Sequence, residues 1–165
     1  MFSFKRADVS EISDIQHIAH ETWPSAYEVL LGKEQVAYML DLIYSEEALK
    51  KQFNEGHFFY FVYQDDELAG FASFGKFDAT SWKLYKIYVL PQMQGSGVGK
   101  AHLDFVIRKV TWEGASRLLL NVNRSNKARF FYEKKNFSII EEVDINIGNS
   151  YFMNDYVMSL PLPGE

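Results

Sequence analysis

Two stretches of this chain hold residue types at spacings that could do chemistry. The first is Gln94, Gly95, Ser96, Gly97, Val98, Gly99 and Lys100, with three glycines at alternate positions. Glycine turns the backbone sharply and lets an anionic ligand come close to the amides. An aromatic and β-branched run over residues 84–90 precedes this loop and stops at Pro91. Apolar residues at Leu103, Val106, Ile107 and Val110 follow it at helical spacing. Strand, loop and helix start would bring free N–H groups and the positive end of a helix dipole together, which makes an anion site. The second stretch runs from Leu119 to Phe137 and places Asn126, Ala128, Phe131, Tyr132, Glu133, Lys134 and Phe137 on a strand end and the helix after it.

Other chemistries with similar residues fail on particular positions. A nucleoside-triphosphate loop needs glycine where Gln94 stands, and a magnesium-binding hydroxyl where Ala101 follows Lys100. A dinucleotide fingerprint needs a further glycine at Lys100 or at His102. There is no cysteine, no Gly-x-Ser-x-Gly elbow and no His-Glu-x-x-His. Ser96 sits between two glycines, but no histidine or aspartate is positioned by sequence to activate it. His17, His20 and Glu21 lie near one another on one helix, and a histidine pair without a third ligand reads as an exposed pair rather than a metal site.

The elements that must position these residues fit one domain, residues 1–165, large enough for a sizeable core. Hydrophobic content is 47%, ordinary for a globular chain, and the 16% of aromatics suits a β-rich core with a ring-lined pocket. The absence of cysteine excludes a disulfide framework and thiolate chemistry. The first six residues lack an apolar run after their charges, so neither a signal peptide nor a spanning helix is expected, and the expected compartment is cytoplasmic. A net charge of −5 argues against nucleic acid and suits cationic substrates, although ordinary solubility explains it equally well.

In order, residues 2–6 read as a strand. Asp8 and Glu11 form a capping-box pattern for a helix with Ile12, Ile15, Ile18 and Ala19 inside, ending before Trp23-Pro24. Gly32 opens a second helix, and Ser45 caps a third. Residues 57–64 and 67–76 form a hairpin around Asp65-Asp66, with Gly70 and Gly75 as candidate bulges. Then come a strand over 82–90, a helix over 97–112, a strand over 117–122, a helix over 125–135, and closing strands over 137–147 and 151–160, with a frayed tail over 161–165.

Gln94 to Gly99 matches Gln/Arg-x-x-Gly-x-Gly/Ala at every fixed position, and the second stretch matches an Asn, Ala, Phe-Tyr-Glu-Lys and Phe pattern. In this order and spacing the two motifs resemble the GNAT superfamily of N-acetyltransferases along essentially the whole chain. The opening and the Asn-x-x-Asn-Lys-Ala segment look like polyamine acetyltransferases of the PaiA type. The resemblance implies an α+β fold with a mixed, mostly antiparallel sheet of about seven strands and about four flanking helices. It implies acetyl-CoA as cofactor, held by Ile87, Tyr88, Val89, Gln94, Gly95, Ser96, Gly97, Val98, Gly99, Lys100, Asn126, Arg129, Tyr132 and Lys134. Two departures stand out. Asn136 replaces the usual glycine before Phe137, which Asn tolerates because it adopts left-handed backbone more readily than most residues. Tyr85 stands where many members carry the general-base Glu, so the base is unassigned. Asn126 lies six residues before Tyr132 and Ser125 seven, and either one could be the cofactor contact or simply the helix cap.

The implied reaction is acetyl transfer to a primary amine. A backbone N–H at or near Val89 would hold the oxyanion, and Tyr132 would protonate the departing thiolate. In the family the loop after the first helix shapes the acceptor pocket, and here it holds Trp23, Tyr27 and Glu28, with Tyr85 as a further candidate contact. Rings and carboxylates can hold a cationic amine; Trp23 in the core and solvated acids are the plainer reading. A polyamine such as spermidine or spermine is the leading acceptor, and a homodimer the candidate assembly, with no nucleic-acid or membrane partner expected. The alternative is a module that binds or senses coenzyme A without turnover, which Tyr85 favours and an intact Tyr132 opposes.

Overall fold

The computed structural model describes residues 1–163. Strand β1 (Phe2–Arg6) leads into helices α1 (Ile12–Leu31), α2 (Lys33–Tyr44) and α3 (Glu46–Asn54). Strands β2 (Phe58–Gln64), β3 (Glu67–Lys76) and β4 (Ser81–Val89) follow, then α4 (Val98–Trp112), β5 (Arg117–Asn123), α5 (Ala128–Lys134), β6 (Ser138–Gly148) and β7 (Tyr151–Pro161). The described residues thus hold five α-helices, where about four are expected. The seven strands form one mixed sheet in the order β1-β2-β3-β4-β5-β7-β6. β4 and β5 run parallel over Ser81 to Leu84, whereas β1–β2, β2–β3, β5–β7 and β6–β7 pair antiparallel.

By contacts the chain divides into two compact units, Met1–Gly75 with Lys86–Val106, and Lys76–Tyr85 with Ile107–Glu165. In the first unit, Ile15, Ile18, Leu49, Phe59, Phe61 and Phe71 are fully buried. The Asp8–Glu11 capping box is present and opens a single 3-10 turn before α1. Ser45 accepts from the Ala48 N–H at the start of α3. Asp65 and Asp66 both take positive φ, as a tight hairpin turn requires. In the second unit Val110, Leu118, Leu120, Phe137 and Met158 are buried. Asn136 does adopt left-handed backbone, at φ 73°. β6 is an edge strand of 11 residues, exposed along nearly its whole length.

Two expectations change. α1 does not stop before Trp23: it continues through Pro24 to Leu31. Proline removes one helical hydrogen bond and crowds the preceding turn. Here rings on both sides of it hold the helix together, because Trp23 packs on Tyr27 at 4.7 Å and on Tyr44 of α2 at 5.6 Å. Trp23, Tyr27 and Glu28 are therefore helical residues, not loop residues. The tail is also tied down further than expected, since Pro161 closes β7 and the Leu162 N–H donates to the Ser116 carbonyl at 2.9 Å. Gly164 and Glu165, the rest of that tail, lie outside the described residues.

Candidate active site

The loop between β4 and α4 is anchored at both ends. Val98, the first residue of α4, is buried against Val62 and Ala69, with Phe2, Phe4, Val89 and Met93 packed around them. Between those anchors Gly95 and Gly97 both take φ 86°, a conformation that a side chain would strain. No atom lies within 4 Å of where a Cβ would stand on Gly95, and at Gly97 only the Phe2 ring edge reaches 4.0 Å. The Ser96 hydroxyl donates to Gln64 Oε1 at 2.9 Å, and Gln94 Nε2 donates to the Val89 carbonyl at 3.1 Å. Among the described residues, the backbone N–H groups of residues 95–100 find no main-chain acceptor, whereas Ala101 N–H returns to the Gly97 carbonyl. Lys100 adds a cation at the same place, tempered by Asp104 at 3.5 Å. Exposed donors at the N-terminus of a 15-residue helix suit a phosphate-bearing ligand.

On the strand before the loop, Val89 has a defined orientation. Leu90 N–H donates to the Ala69 carbonyl at 2.8 Å, so strand alternation turns the Val89 N–H away from β3. That approach depends on Gly70, where a Cβ would meet the Tyr88 carbonyl oxygen at 2.1 Å. Beside it the β2–β3 register slips between Val62 and Tyr63, so the extra residue is Ala69 and Gly70 is its neighbour, while the register runs unbroken from Phe58↔Phe74 to Val62↔Gly70 with no bulge toward Gly75, where the sequence suggested one. Ile87 shares the Val89 side of β4, and Tyr88 lies on the other side.

Tyr88 joins the aromatic group of α1 and α2. Its hydroxyl shares a hydrogen bond with that of Tyr27 at 3.1 Å, and its ring stands 5.9 Å from both Trp23 and Phe71. Trp23 is buried at 4% exposure, a core residue in this setting, whereas Tyr27 and Glu28 are half-buried. The Glu28 carboxylate makes no ion pair among the described residues. Burial pushes the Tyr44 phenol well above its ordinary range, an effect that Trp23 and Tyr88 beside it oppose. Next along β4, Lys86 Nζ donates to Gln52 Oε1 at 2.8 Å and lies over the Tyr44 and Phe59 rings. Burial pushes its ammonium down to about 8.

In the second unit, Asn126 uses its side-chain oxygen to turn the chain into α5, accepting from Ala128 N–H at 2.8 Å, while the N-cap residue Lys127 makes no side-chain cap bond. Ser125 is exposed, and its N–H donates to Asn123 Oδ1. Arg129 lies over the Phe130 and Tyr156 rings, and Lys134 is exposed. Tyr132 is buried at 9% exposure between Phe131 and Phe137. Tyr85 is half-buried with Lys83 Nζ 5.9 Å over its ring.

Sequence reasoning passed over three polar residues of this unit, Lys83, Asn121 and Asp155. Asn121 Nδ2 donates to Asp155 Oδ2 at 3.3 Å, and Asp155 is only 3% exposed. Burial raises the Asp155 carboxyl, and burial lowers the Lys83 ammonium. Asn121 Oδ1 is buried and accepts no hydrogen bond among the described residues, an arrangement that costs about 1–3 kcal/mol if nothing else meets it. The available signal was polarity out of place, one Asn inside the run Leu118-Leu119-Leu120-Asn121-Val122. Among the described residues no cluster of His, Cys, Asp or Glu could hold a metal ion, and no helix is long and apolar enough to cross a membrane.

Residues 30–152 match the family model described as an acetyltransferase (GNAT) domain. The chain belongs to the GNAT family, and membership makes it an acetyl-CoA-dependent N-acetyltransferase. It is 35% identical over 121 residues to a ribosomal protein bS18-alanine N-acetyltransferase of Haemophilus influenzae, covering 72% of this chain and 77% of that one. It is 26% identical over 152 residues to an uncharacterised N-acetyltransferase of Mycobacterium tuberculosis, covering 91% of this chain and 97% of that one. Its fold is similar to that of the PaiA N-acetyltransferase of Thermoplasma acidophilum, solved in complex with coenzyme A, at TM-score 0.78 and 20% identity over 98% of this chain and 99% of that one.

Proposed function

We propose that the protein transfers the acetyl group of acetyl-CoA to a primary amine of a small polycation, with a polyamine such as spermidine as the leading acceptor. The unsatisfied amides of residues 95–100 carry this reading, because they would take the cofactor's pyrophosphate. The acceptor half draws support from the net charge of −5, from Glu28 without an ion pair, and from the fold likeness to the PaiA enzyme. In this mechanism the neutral amine attacks the thioester carbonyl. The Val89 N–H stabilises the oxyanion, a contribution of about 3 kcal/mol for one such donor. The C–S bond breaks, and the Tyr132 hydroxyl gives its proton to the thiolate.

The relation to the bS18-alanine acetyltransferase favours a second acceptor, the α-amine of a protein N-terminus. The two acceptors differ in basicity, about 10.4 for an alkyl amine and about 7.7–8.0 for an α-amine. Turnover of acetyl-CoA should be followed against pH with spermidine, spermine, monoamines, an aminoglycoside and a peptide with a free N-terminus. The polyamine reading expects spermidine to lead. A peptide that leads overturns it in favour of the α-amine. Tight coenzyme A binding with no turnover of any amine would leave a binding or sensing module.

A further inference from the structure

Three side chains on one face of the second unit's sheet have no part in the mechanism above. The register Lys83↔Leu119 places Lys83 beside the strand that carries Asn121. The register Asn123↔Asp155 places Asp155 one step from Asn121 on the same face. Among the described residues, Asn121 Nδ2 supplies the only side-chain hydrogen bond that Asp155 receives, at 3.3 Å. Asn121 Oδ1, buried beside it, accepts from no group among the described residues. Lys83 Nζ lies over the Phe77 and Tyr85 rings at 5.2 and 5.9 Å and, among the described residues, has no carboxylate within ion-pair distance. Arg124 also faces Asp155, but its guanidinium is engaged with Asp144 at 2.7 Å and Glu142 at 3.8 Å, and it donates to the Asp155 main-chain carbonyl rather than to the side chain.

The group therefore has surplus acceptors: a carboxylate with one weak donor and an amide oxygen with none. Water would satisfy them, but so would a primary ammonium, which brings three N–H donors and the charge that a buried carboxylate needs. We propose that the Asp155 carboxylate, oriented by Asn121, binds the acceptor's primary ammonium and removes its proton. This rests on the acetyl-transfer reading and fills the role that Tyr85 leaves open. The step is R–NH3⁺ plus Asp155–COO⁻ giving R–NH2 plus Asp155–COOH, and Asp155 then returns its proton to solvent. The amine nitrogen sheds a second proton after C–N bond formation, which balances the one taken by the thiolate. Lys83 contributes a nearby positive charge, which favours the neutral amine over the ammonium once the proton has moved. Burial raises the Asp155 carboxyl, which brings it closer to the range a base needs near neutrality.

The first arm of the test needs no turnover, so it fails separately from the acetyl-transfer reading. Protein carrying 13C at its aspartate carboxyls is titrated with and without n-butylamine, and the Asp155 resonance is identified by its loss in Asp155→Asn. The amine is expected to move the Asp155 titration to lower pH and leave the other aspartates in place. A resonance that does not respond overturns the proposal. The second arm follows kcat/KM for the amine against pH. Asp155→Asn is expected to lose about 100-fold or more while its affinity for coenzyme A stays at the wild-type value. Asn121→Leu and Lys83→Met each remove an interaction that holds the carboxylate charged, so each is expected to shift the acid limb to higher pH. These two variants carry the second arm if Asp155→Asn does not fold, and wild-type pH profiles in both overturn the assignment.

Discussion

His102 gives the sharpest stability prediction. It lies on α4 with 0% exposure, its ring 5.5 Å from Phe4 and 6.3 Å from Phe105, and neither nitrogen has a hydrogen-bond partner among the described residues. Burial pushes it from 6.5 down to about 3. The native imidazole thus stays neutral across the working range, whereas the unfolded one titrates near 6.5. Because the folded value is the depressed one, the stabilisation is complete above pH 6.5 and is lost as pH falls toward 3. Between pH 8 and pH 5 the unfolded chain takes up nearly one proton that the native chain does not. Proton linkage over that interval removes about 2 kcal/mol, a large share of a typical margin of about 5–15 kcal/mol. His102→Leu deletes the titrating group. At pH 8 the variant gains by losing unsatisfied nitrogens, about 1–3 kcal/mol, and loses ring contacts worth about 0.5–1.5 kcal/mol. Urea unfolding of both proteins at pH 8 and pH 5 isolates the effect, because the other histidines and the carboxylates are common to both and cancel. Wild type should lose about 2 kcal/mol more than the variant over that interval. Equal losses would refute the argument and mean that His102 is hydrogen-bonded or hydrated in solution.

Three further outcomes concern the site. Gly97→Val puts a β-branched residue at φ 86°, and the resulting loop shift should weaken coenzyme A binding by about tenfold, close to 1.4 kcal/mol, as calorimetry would read; an unchanged affinity removes the loop from the cofactor site. Gly70→Ala drives a methyl group into the Tyr88 carbonyl, so the Val89 N–H must shift. kcat should then fall by about 100-fold or more, with coenzyme A affinity nearly kept, and full activity would mean that Val89 is not the oxyanion donor. Tyr132→Phe should lower kcat and leave the acetyl-CoA dissociation constant near wild type, since the hydroxyl acts in the transition state; an unaffected kcat returns Tyr132 to packing.

The glycine loop, the caps at Asp8 and Ser45, the Asp65-Asp66 turn and the left-handed Asn136 were legible because each is decided by a few adjacent residues. Pro24 misled because a local rule competed with tertiary packing, and the Trp23, Tyr27 and Tyr44 rings prevailed. The Asn121–Asp155 pair was illegible for a different reason. Its members are 34 residues apart, and only the β5–β7 register brings them together. An Asn in an apolar strand signals that something polar must meet it, but the sequence does not say what.

The open edge of β6 bears on how the protein behaves in a concentrated solution. An unpaired edge of 11 residues, with Ile139, Ile140 and Ile145 in solvent, is a template for strand addition. Glu141, Glu142 and Asp144 line the same strand, and Arg124 engages the last two. When two copies meet edge to edge they confront like with like, and the carboxylates hold them apart. That restraint is ionic, so it weakens as salt rises. Crowded or salty conditions are therefore where this chain's colloidal stability will first give way, with the fold still intact.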